Sequence, residues 1–287
     1  MNHEIRPLSA GLYLVATPIG SARDITLRAL DILASCDLIA AEDTRTARKL
    51  MEIHGVPLGK RQVVAFHDHS NAGQVDRLVA AIAAGRSVAC VSEAGTPLIA
   101  DPGYELAVAV QAAGLPVTAA PGASAVLTAL AVAGLPTDRF AFLGFLSAAA
   151  SQRKTQLAEV REMPFTLVIY ESPKRVHDLL SDACDVLGEG RSAVVCRELT
   201  KKFEEVSRGT LGSLMGDFEG RAVKGEVVVL IGRAGAQTVA DGDVEKALRD
   251  AMTTMRVKDA ATAVAGALGL PRRQVYQTAL DMDRKDE

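Results

Sequence analysis

The chain has 287 residues, of which 48% are hydrophobic and 23% are charged, and its formal net charge is −3. This composition excludes a disordered or fibrous protein, and the length favours two domains or one large domain with an appendage. The slight acidic excess argues against electrostatic binding of naked nucleic acid. An aromatic content of 4% without Trp argues against base-stacking platforms.

The first half of the chain alternates short apolar runs with helical periods, which is the pattern of βαβ units. The predicted strands cover residues 12–16, 38–41, 63–66, 88–91 and 117–120. The first predicted helix follows Asp24 as its N-cap, and the others cover residues 46–53, 72–84, 104–113 and 123–133. Five strands separated by helices predict a parallel sheet that is covered on both faces.

After Pro136 fewer of the predicted strands are separated by helices, which indicates a second domain of mixed α+β type. Its predicted strands cover residues 140–145, 166–170, 193–197, 206–211 and 227–231. The third and fourth of them lie close in sequence, which predicts an antiparallel pair. The predicted domains are therefore 1–136 and 137–234, followed by a helical tail over 235–287.

The tail contains predicted helices over residues 260–268 and 272–280, joined by a turn at Gly269. This arrangement is shaped like a helix-turn-helix, with Arg272 and Arg273 opening the last helix. Any two-helix tail looks similar, so the pattern alone is a weak indication of nucleic-acid binding.

Secretion, membrane insertion and metal binding are not predicted. The N-terminus lacks the apolar core of a signal peptide, and the uncharged stretch 106–137 is divided by Pro and Gly into pieces too short for a membrane span. The chain has no CxxC pattern, which argues against a zinc site or a disulfide framework. The four cysteines are Cys36, Cys90, Cys184 and Cys196. They are interpreted as buried thiols of a cytoplasmic protein.

Polar, Pro and Gly clusters follow all five strands of the first half, where a parallel sheet presents the carboxyl ends of its strands. These clusters cover residues 17–20, 42–45, 67–69, 92–97 and 121–124. GxGxxG, GxxxxGK[ST] and GxSxG motifs are absent from the sequence, which disfavours NAD enzymes, P-loop NTPases and covalent hydrolases. His67 and His69 have too few possible partner ligands to favour a metal site.

Eight strings, in order and with matching spacing between about residues 12 and 280, carry a family resemblance. They are LYLVATPIGSARDITLRAL, AAEDTR, FHDHSN, SEAGTPLIADPG, PGASA, YESPKR, CRELTKKFEE and KGEVVVLI. The chain resembles the ribosomal RNA small subunit methyltransferase I branch of the tetrapyrrole-methylase superfamily. The resemblance implies two α/β domains, S-adenosylmethionine in the cleft between them, a homodimer, and 2′-O-methylation of a cytidine in the decoding region of small-subunit (16S) ribosomal RNA.

The resemblance also assigns cofactor binding to strand-end segments and to the loop at Tyr170. The implied cofactor residues are Thr17, Pro18, Gly20, Ser92, Glu93, Ala94, Gly95, Thr96, Pro97, Pro121, Gly122, Ser124, Tyr170 and Glu171. The chain departs from the usual family residues at Ser21 in place of Asn, at Glu93 in place of Asp and at Asp68 in place of Glu. Each departure preserves polarity.

Methyl transfer to a ribose hydroxyl requires alignment and benefits from a base, and it needs no metal. The candidate bases, which the sequence does not rank, are Glu42, Asp43, His67 and Asp101. The basic side chains expected to contact RNA are Arg45, Lys174, Arg175, Arg197, Lys201, Arg272 and Arg273.

The acidic net charge fits poorly with free RNA, so the expected substrate is the folded small subunit, whose preformed shape supplies specificity. One alternative is a tetrapyrrole carbon methyltransferase with the same fold and cofactor. A more distant alternative is a nucleic-acid-binding regulator that reads its target with the helical tail.

Overall fold

The computed structural model describes residues 3–67, 72–234, 241–268 and 272–286. The chain divides into two compact units. One unit contains the residues up to Glu159 together with Phe165–Gly232, and the other contains Val160–Pro164 together with the residues from Arg233 onward. The sequence gives no sign that Val160–Pro164 groups with the tail, and the boundaries at residues 136 and 234 stay predictions.

The first half of the larger unit is an alternating series of strands and helices. The strands are β1 (Gly11–Val15), β2 (Leu38–Ala41), β3 (Gln62–Ala65), β4 (Ser87–Val91) and β5 (Val117–Ala120). The helices are α1 (Leu27–Ser35), α2 (Thr44–Ile53), α3 (Ala72–Ala83), α4 (Tyr104–Ala112) and α5 (Ala125–Ala133). The strands form one sheet in the order β3-β2-β4-β1-β5, and every pair is parallel, which confirms the prediction.

The alternating side chains of this sheet build two cores. On one face Val15 and Val91 pack in a buried cluster with residues of α1 and α2. On the other face Leu12 and Val88 pack with residues of α3 and α4. Both faces are therefore apolar, as a parallel sheet that is covered by crossover helices requires.

The chain changes direction along the sheet at the two central strands, β1 and β4. The connection after β1 leads through α1 to β2 on one side, whereas the connection after β4 leads through α4 to β5 on the other side. Because the two connections leave toward opposite edges, a crevice opens beyond the carboxyl ends of β1 and β4. Ligands of open α/β sheets bind at such a crevice.

The second half of the larger unit contains a mixed sheet. Its strands are β6 (Phe140–Phe145), β7 (Thr166–Glu171), β8 (Ser192–Arg197), β9 (Glu205–Thr210) and β10 (Val227–Ile231). Its helices are α6 (Ala150–Glu159), α7 (Val176–Leu187) and α8 (Leu211–Phe218). The strand order is β6-β7-β10-β8-β9, in which β6 runs parallel to β7 and the other pairs are antiparallel. The antiparallel pairing of β8 with β9 confirms the prediction.

The two sheets of the larger unit share a core through α5. Val126 and Leu130 of α5 are buried against Val168, Val194 and Val228 of the second sheet. Ile19, in the loop that follows β1, belongs to the same cluster. The carboxyl end of the first sheet is thereby packed against the second sheet.

Two predicted boundaries are wrong because the caps lie elsewhere. The hydroxyl oxygen of Thr26, rather than the side chain of Asp24, caps α1 by accepting from the Ala29 N–H at 3.2 Å. The predicted strand 206–211 ends one residue early, since Thr210 and Ser213 form a capping box that starts α8 at Leu211. The apolar pattern alone would extend the strand through Leu211, whereas the capping box starts a helix there.

The smaller unit contains α9 (Asp241–Met252), α10 (Val257–Leu268) and α11 (Arg272–Asp286). Leu248, Ala261, Val275 and Ala279 are fully buried in its own apolar cluster. Among the described residues of both units, no helix has the length and apolar character needed to cross a bilayer.

Candidate active site

A cavity of about 330 Å³ lies at the crevice beyond the ends of β1 and β4, within the larger unit. Side chains from both sheets line it. They are Ile19, Glu42, Glu93, Ala94, Gly95, Thr96, Ile99, Ala100, Asp101, Ser124, Ala125, Phe145, Tyr170, Glu171, Ser172, Pro173, Gly225, Glu226, Val227 and Val228. The volume falls within the range of small-molecule sites, and we call this space the central cavity.

The loop over residues 92–97 forms one wall of the central cavity and is joined by backbone hydrogen bonds to the loop after β1. The N–H of Thr17 donates to the Gly95 carbonyl at 2.8 Å, and the Gly95 N–H donates to the Thr17 carbonyl at 3.0 Å. Both Thr17 and Ser92 are buried, and the hydroxyl of Ser92 donates to the Gly95 carbonyl at 3.3 Å. Thr17 and Ser92 therefore support the wall, while Glu93, Ala94, Gly95 and Thr96 form its surface.

Two glycines of the predicted cofactor set permit close approaches of the backbone. A Cβ at Gly122 would lie 2.8 Å from the Cβ of Ala16, at the end of the first sheet. A Cβ at Gly20 would lie 2.5 Å from Cγ of Lys201 and 2.6 Å from Oγ1 of Thr200. Both residues lie in the connection between β8 and β9 of the second sheet. Gly20 and Gly122 thus permit the close packing of the loops that flank the central cavity, and neither glycine lines the cavity.

The lining of the central cavity is acidic. Glu42, Glu93, Asp101, Glu171 and Glu226 contribute carboxyl groups, and among its described lining residues there is no Lys, Arg or His. Such a set of oxygens favours a cationic ligand and accepts hydrogen bonds from hydroxyl and amino groups. Ile19, Ile99 and Val228 add apolar surface for the uncharged part of a ligand.

Glu171 is the most deeply buried of these acids, with a side chain that is 0% exposed. Its Oε1 accepts from the Ser172 N–H at 2.7 Å and from Nε of Arg175 at 2.8 Å. Its Oε2 is buried and has no hydrogen-bond partner among the described residues. A buried carboxylate oxygen of this kind in a cavity wall fits a ligand that carries hydrogen-bond donors.

Aromatic side chains form another wall of the central cavity. The ring of Tyr170 contacts Phe142 and Phe145 edge to face, at centroid distances of 4.8 and 5.7 Å. Burial, together with the nearby charge of Asp101, raises the pKa of Tyr170 to about 12. Its phenol is therefore a neutral hydrogen-bond donor at physiological pH.

The structure brings two of the four candidate bases into the central cavity, Glu42 and Asp101. Oε2 of Glu42 accepts from the Glu93 N–H at 3.0 Å, which fixes this carboxylate against the 92–97 loop. His67 is exposed after the edge strand β3 and does not line the cavity. His69 and Asp68 lie outside the described residues.

Asp43 lies outside the central cavity and caps α2. Its Oδ1 accepts from the Arg45 N–H at 2.7 Å, and its Oδ2 accepts from the Arg45 guanidinium at 2.8 Å. These hydrogen bonds lower the pKa of Asp43 to about 2. A carboxylate with so low a pKa is a weak proton acceptor near neutral pH.

Two grooves that contain cationic side chains adjoin the central cavity. The first is lined by Asp43, Arg45, Lys49 and neighbouring residues, including Thr17, Pro18 and Gly20, and shares Glu93 with the cavity. The second is lined by Arg197, Glu198, Phe203, Arg221, Ala222, Val223, Lys224 and Gly225, and shares Gly225 with the cavity. We call them the α2 groove and the β8–β9 groove.

The other basic candidates differ in their pairing. The Arg175 guanidinium lies 2.5 Å from Oε1 of Glu171 and is largely buried, whereas Lys174 is exposed. Lys201 Nζ lies 3.0 Å from a carboxylate oxygen of Glu198 and from one of Glu226. Arg272 and Arg273 are exposed at the start of α11 in the smaller unit.

Of the other predicted cofactor residues, Ser124 lines the central cavity, and Pro97 and Pro121 do not. The sequence predictions omitted several lining residues, among them Ile99, Phe145, Ser172 and Gly225. Phe145 is turned by a bulge at Gly144, which has a φ of +65°, and a Gly within an apolar strand was the available signal. Among the described residues, no three His, Cys, Asp or Glu side chains are grouped to hold a metal ion.

Comparison with protein families identifies two matching regions. The family described as Tetrapyrrole (Corrin/Porphyrin) Methylases matches residues 11–215, and the RsmI C-terminal HTH domain matches residues 238–283. The protein named Ribosomal RNA small subunit methyltransferase I from Mesorhizobium japonicum is 42% identical over 279 residues, which cover 96% of this chain and 94% of that protein.

Solved structures with similar folds include the methyltransferase CobJ, at a TM-score of 0.61 and 20% identity, covering 81% of this chain and 98% of that chain. Another is a uroporphyrin-III C-methyltransferase from Thermus thermophilus complexed with S-adenyl homocysteine, at a TM-score of 0.54 and 19% identity. It covers 78% of this chain and 98% of that chain. At these identities the similarity shows the fold alone.

Proposed function

The chain belongs to the ribosomal RNA small subunit methyltransferase I family of tetrapyrrole methylases, and on that premise we propose that it methylates the 2′-oxygen of a cytidine in the decoding region of 16S ribosomal RNA. It is an rRNA methyltransferase that uses S-adenosylmethionine. The assembled small subunit is the proposed substrate.

The observation that carries this proposal is the contrast between the central cavity and its two neighbours. Five carboxyl groups and no described Lys, Arg or His line the cavity, whereas three cations and one acid line the β8–β9 groove, and Arg45 and Lys49 accompany two acids in the α2 groove. A sulfonium cofactor is a cation, and a polynucleotide is a polyanion. The charge pattern therefore separates a site for the methyl donor from sites for RNA.

S-adenosylmethionine supplies an activated methyl group on its sulfonium sulfur. The acidic lining favours that positive charge, and Glu171 and Tyr170 provide an acceptor and a donor for the cofactor's polar groups. Apolar contacts with Ile19, Ile99 and Val228 exclude water from the remaining surface. These residues align the donor, and alignment supplies a large part of the rate enhancement in a displacement reaction.

Asp101 is the proposed proton acceptor for the ribose hydroxyl. It lines the central cavity close to Tyr170, on whose pKa its charge acts. Glu42 is assigned a positioning role, because its carboxylate accepts the Glu93 N–H and so fixes the 92–97 loop. Asp43 and His67 lie outside the cavity and receive no catalytic role in this proposal.

RNA phosphates are proposed to bind in the two grooves and at Lys174. Arg45 is 89% exposed and Lys49 is 65% exposed, so both can reach a ligand in the α2 groove. Arg197 and Lys201 are more buried and paired; Arg197 is assigned to the charge of the β8–β9 groove, and Lys201 is assigned to holding Glu198, which lines it. Arg272 and Arg273 are proposed to contact RNA from the smaller unit.

A homodimer and a cytoplasmic location complete the proposal. Tyr104 and Val108 of α4 and Leu127 of α5 are exposed apolar side chains, and a second copy would remove such surface from water. The four cysteines are buried free thiols, which suit the reducing compartment that contains ribosomes.

The experiment that tests the modified atom is methyl transfer from labelled S-adenosylmethionine to small subunits that lack the modification. The RNA is then digested to nucleosides and the labelled nucleoside is identified. The proposal predicts 2′-O-methylcytidine. Label on a base, or on another nucleoside, would reject the assignment of the 2′-oxygen of cytidine while leaving rRNA methylation in place.

A further inference from the structure

The turn that joins β8 to β9 has an unusually constrained backbone. Glu198 and Thr200 adopt positive φ angles of 51° and 65°, which side-chain-bearing residues seldom do. Hydrogen bonds hold this conformation: the Lys201 N–H donates to the Glu198 carbonyl at 2.9 Å, and the Thr200 N–H donates to Oε2 of Glu204 at 2.5 Å. The conformation of the turn is therefore fixed by its own hydrogen bonds.

The same turn is attached to the loops of the central cavity. The Ser21 N–H donates to Oγ1 of Thr200 at 3.1 Å, and the Glu198 N–H donates to the Glu226 carbonyl at 3.0 Å. Leu199 is buried in the core that α5 shares with the second sheet. The position of the turn is therefore fixed relative to the cofactor residues.

Phe203 follows in the same connection between β8 and β9, and 63% of it is exposed. A single exposed apolar side chain is ordinary on a protein surface. Phe203 differs because it lines the β8–β9 groove, a space of about 270 Å³ whose other side chains include Arg197, Arg221 and Lys224. Nζ of Lys202 lies 5.5 Å from the centroid of its ring.

The ion pairs leave part of this positive charge available. Arg197 and Arg221 both pair with Glu205, at 3.0 and 2.6 Å. In the part of the chain that the structure describes, no carboxylate lies within ion-pair distance of Lys202 or Lys224. The groove thus places the exposed ring of Phe203 beside Lys224, and Lys202 adjoins the same ring without lining the groove.

The β8–β9 groove is directly adjacent to the central cavity. Gly225 lines both, and a Cβ there would lie 2.3 Å from the Glu198 carboxyl group, so the segment between the two spaces is closely packed. Because the two spaces share Gly225, the β8–β9 groove is a neighbouring site for the nucleotide next to one whose ribose enters the central cavity.

We propose that Phe203 is a stacking platform for an unpaired nucleobase beside the target nucleotide, with Lys202 and Lys224 binding the adjoining phosphates. This inference rests on the proposed function, and it assigns a site that determines which RNA context is methylated. Aromatic faces bind bases by stacking and cations bind phosphates, which is the combination found here. The low aromatic content had argued against such a platform, but composition does not report where one exposed ring lies.

The absence of Trp from the chain permits a direct test. Phe203→Trp places a single indole on the turn, and stacking on a base quenches indole fluorescence. After the emission of the same subunits mixed with wild-type protein is subtracted, we expect unmethylated small subunits to quench Phe203→Trp. Phe140→Trp is the control, because Phe140 begins β6 at the end opposite Phe145. Unchanged emission overturns the proposal, as does a blue shift without quenching, which would indicate a protein partner.

Kinetics provide the second measurement. Phe203→Ala should lower kcat/KM for small subunits about tenfold, mainly through KM, while the affinity for S-adenosylmethionine stays unchanged. Phe203→Tyr should restore the rate and Phe203→Leu should not, since leucine is apolar without a stacking face. Equal rates for the Ala, Leu and Tyr variants overturn the proposal.

The outcomes separate this inference from the proposed function. A wild-type enzyme that methylates small subunits, together with unquenched Phe203→Trp, rejects the platform alone. A wild-type enzyme that transfers no methyl group to small subunits rejects the proposed function itself, and with it the platform.

Discussion

At the scale of single residues, position 122 requires glycine because a side chain there would clash with its neighbour. Its backbone conformation does not itself require glycine. The Cβ of any other residue would lie 2.8 Å from the Cβ of Ala16, which belongs to the rigid end of the first sheet. The loop over 121–124 must shift to accommodate it, and Ser124 of that loop lines the central cavity.

Gly122→Ala is therefore expected to weaken S-adenosylmethionine binding about tenfold, since overpacking costs about 1–3 kcal/mol. Isothermal titration calorimetry measures this. Gly190→Ala is the control, because a Cβ at that position meets nothing within 4 Å. Equal affinities for the two variants would contradict the close-contact account.

Asp101→Asn tests the proposed base. We expect kcat to fall about 100-fold with cofactor affinity retained, which is the usual loss when a general base is removed. Glu42→Ala should instead raise the Kd for the cofactor, because it removes the oxygen that accepts the Glu93 N–H. Asp43→Asn retains an N-cap residue and should keep kcat. Single-turnover methyl transfer distinguishes these variants, and an unchanged kcat for Asp101→Asn rejects the assignment.

Nine of the twenty residues that line the central cavity were among the residues predicted from the sequence, but their individual roles were not predicted. The clusters after β1, β4 and β5 were visible as Pro, Gly and acidic residues at strand ends. That Thr17 supports the wall while Glu93 faces the cavity depends on a bridge between residues far apart in sequence. Phe145 was missed because a bulge before it determines its direction, and the neighbouring Gly144 was the one sign of that bulge in the sequence.

At the scale of elements, Glu205 holds the start of β9 to the segment before β10. Hydrogen bonds from Arg221 and then Arg197 lower the pKa of Glu205 to about 2 from an ordinary value of 4.5. A carboxyl group with a depressed folded pKa contributes stability above its unfolded pKa, and this contribution is lost as the pH falls toward its folded pKa.

Between about pH 5 and pH 2 the stability difference between wild type and Glu205→Gln should therefore shrink. Urea unfolding at several pH values in this window measures it. Glu219→Gln, which changes an exposed residue of the neighbouring segment, is the control. Parallel loss of stability in wild type and Glu205→Gln would contradict the ion-pair account.

The sequence predicted all ten strands, because their apolar runs are short and are bounded by turn residues. It was less accurate where capping chemistry determines an end, as at Thr26 and Thr210. The parallel pairing of β6 with β7 inside a mainly antiparallel sheet could not be read from the sequence, since strand order depends on long-range packing.

At the scale of the whole molecule, the net charge of −3 is compatible with an RNA substrate because the charge is unevenly distributed. Acids line the central cavity, cations predominate in the β8–β9 groove, and the α2 groove has two exposed cations beside two acids. The overall charge could be counted from the sequence, whereas its separation could not, because it depends on which strand ends meet.

The smaller unit should contribute to subunit binding and not to cofactor binding. The double variant Arg272→Glu/Arg273→Glu reverses two exposed charges at the start of α11. We expect its affinity for small subunits to fall about tenfold, with a smaller salt dependence, and its affinity for S-adenosylmethionine to stay unchanged. Sedimentation with subunits measures the first effect, and unaltered subunit binding would remove the smaller unit from the RNA interface.

The central claim is that the acidic cavity and its two neighbouring grooves serve methyl transfer to ribosomal RNA. The most direct measurement compares three acceptors for labelled methyl groups under one set of conditions: unmethylated small subunits, naked 16S RNA and a porphyrin precursor. The account predicts label in the subunits, less in the naked RNA and none in the porphyrin precursor. Label in the porphyrin precursor alone would contradict it and would make the protein a tetrapyrrole carbon methyltransferase.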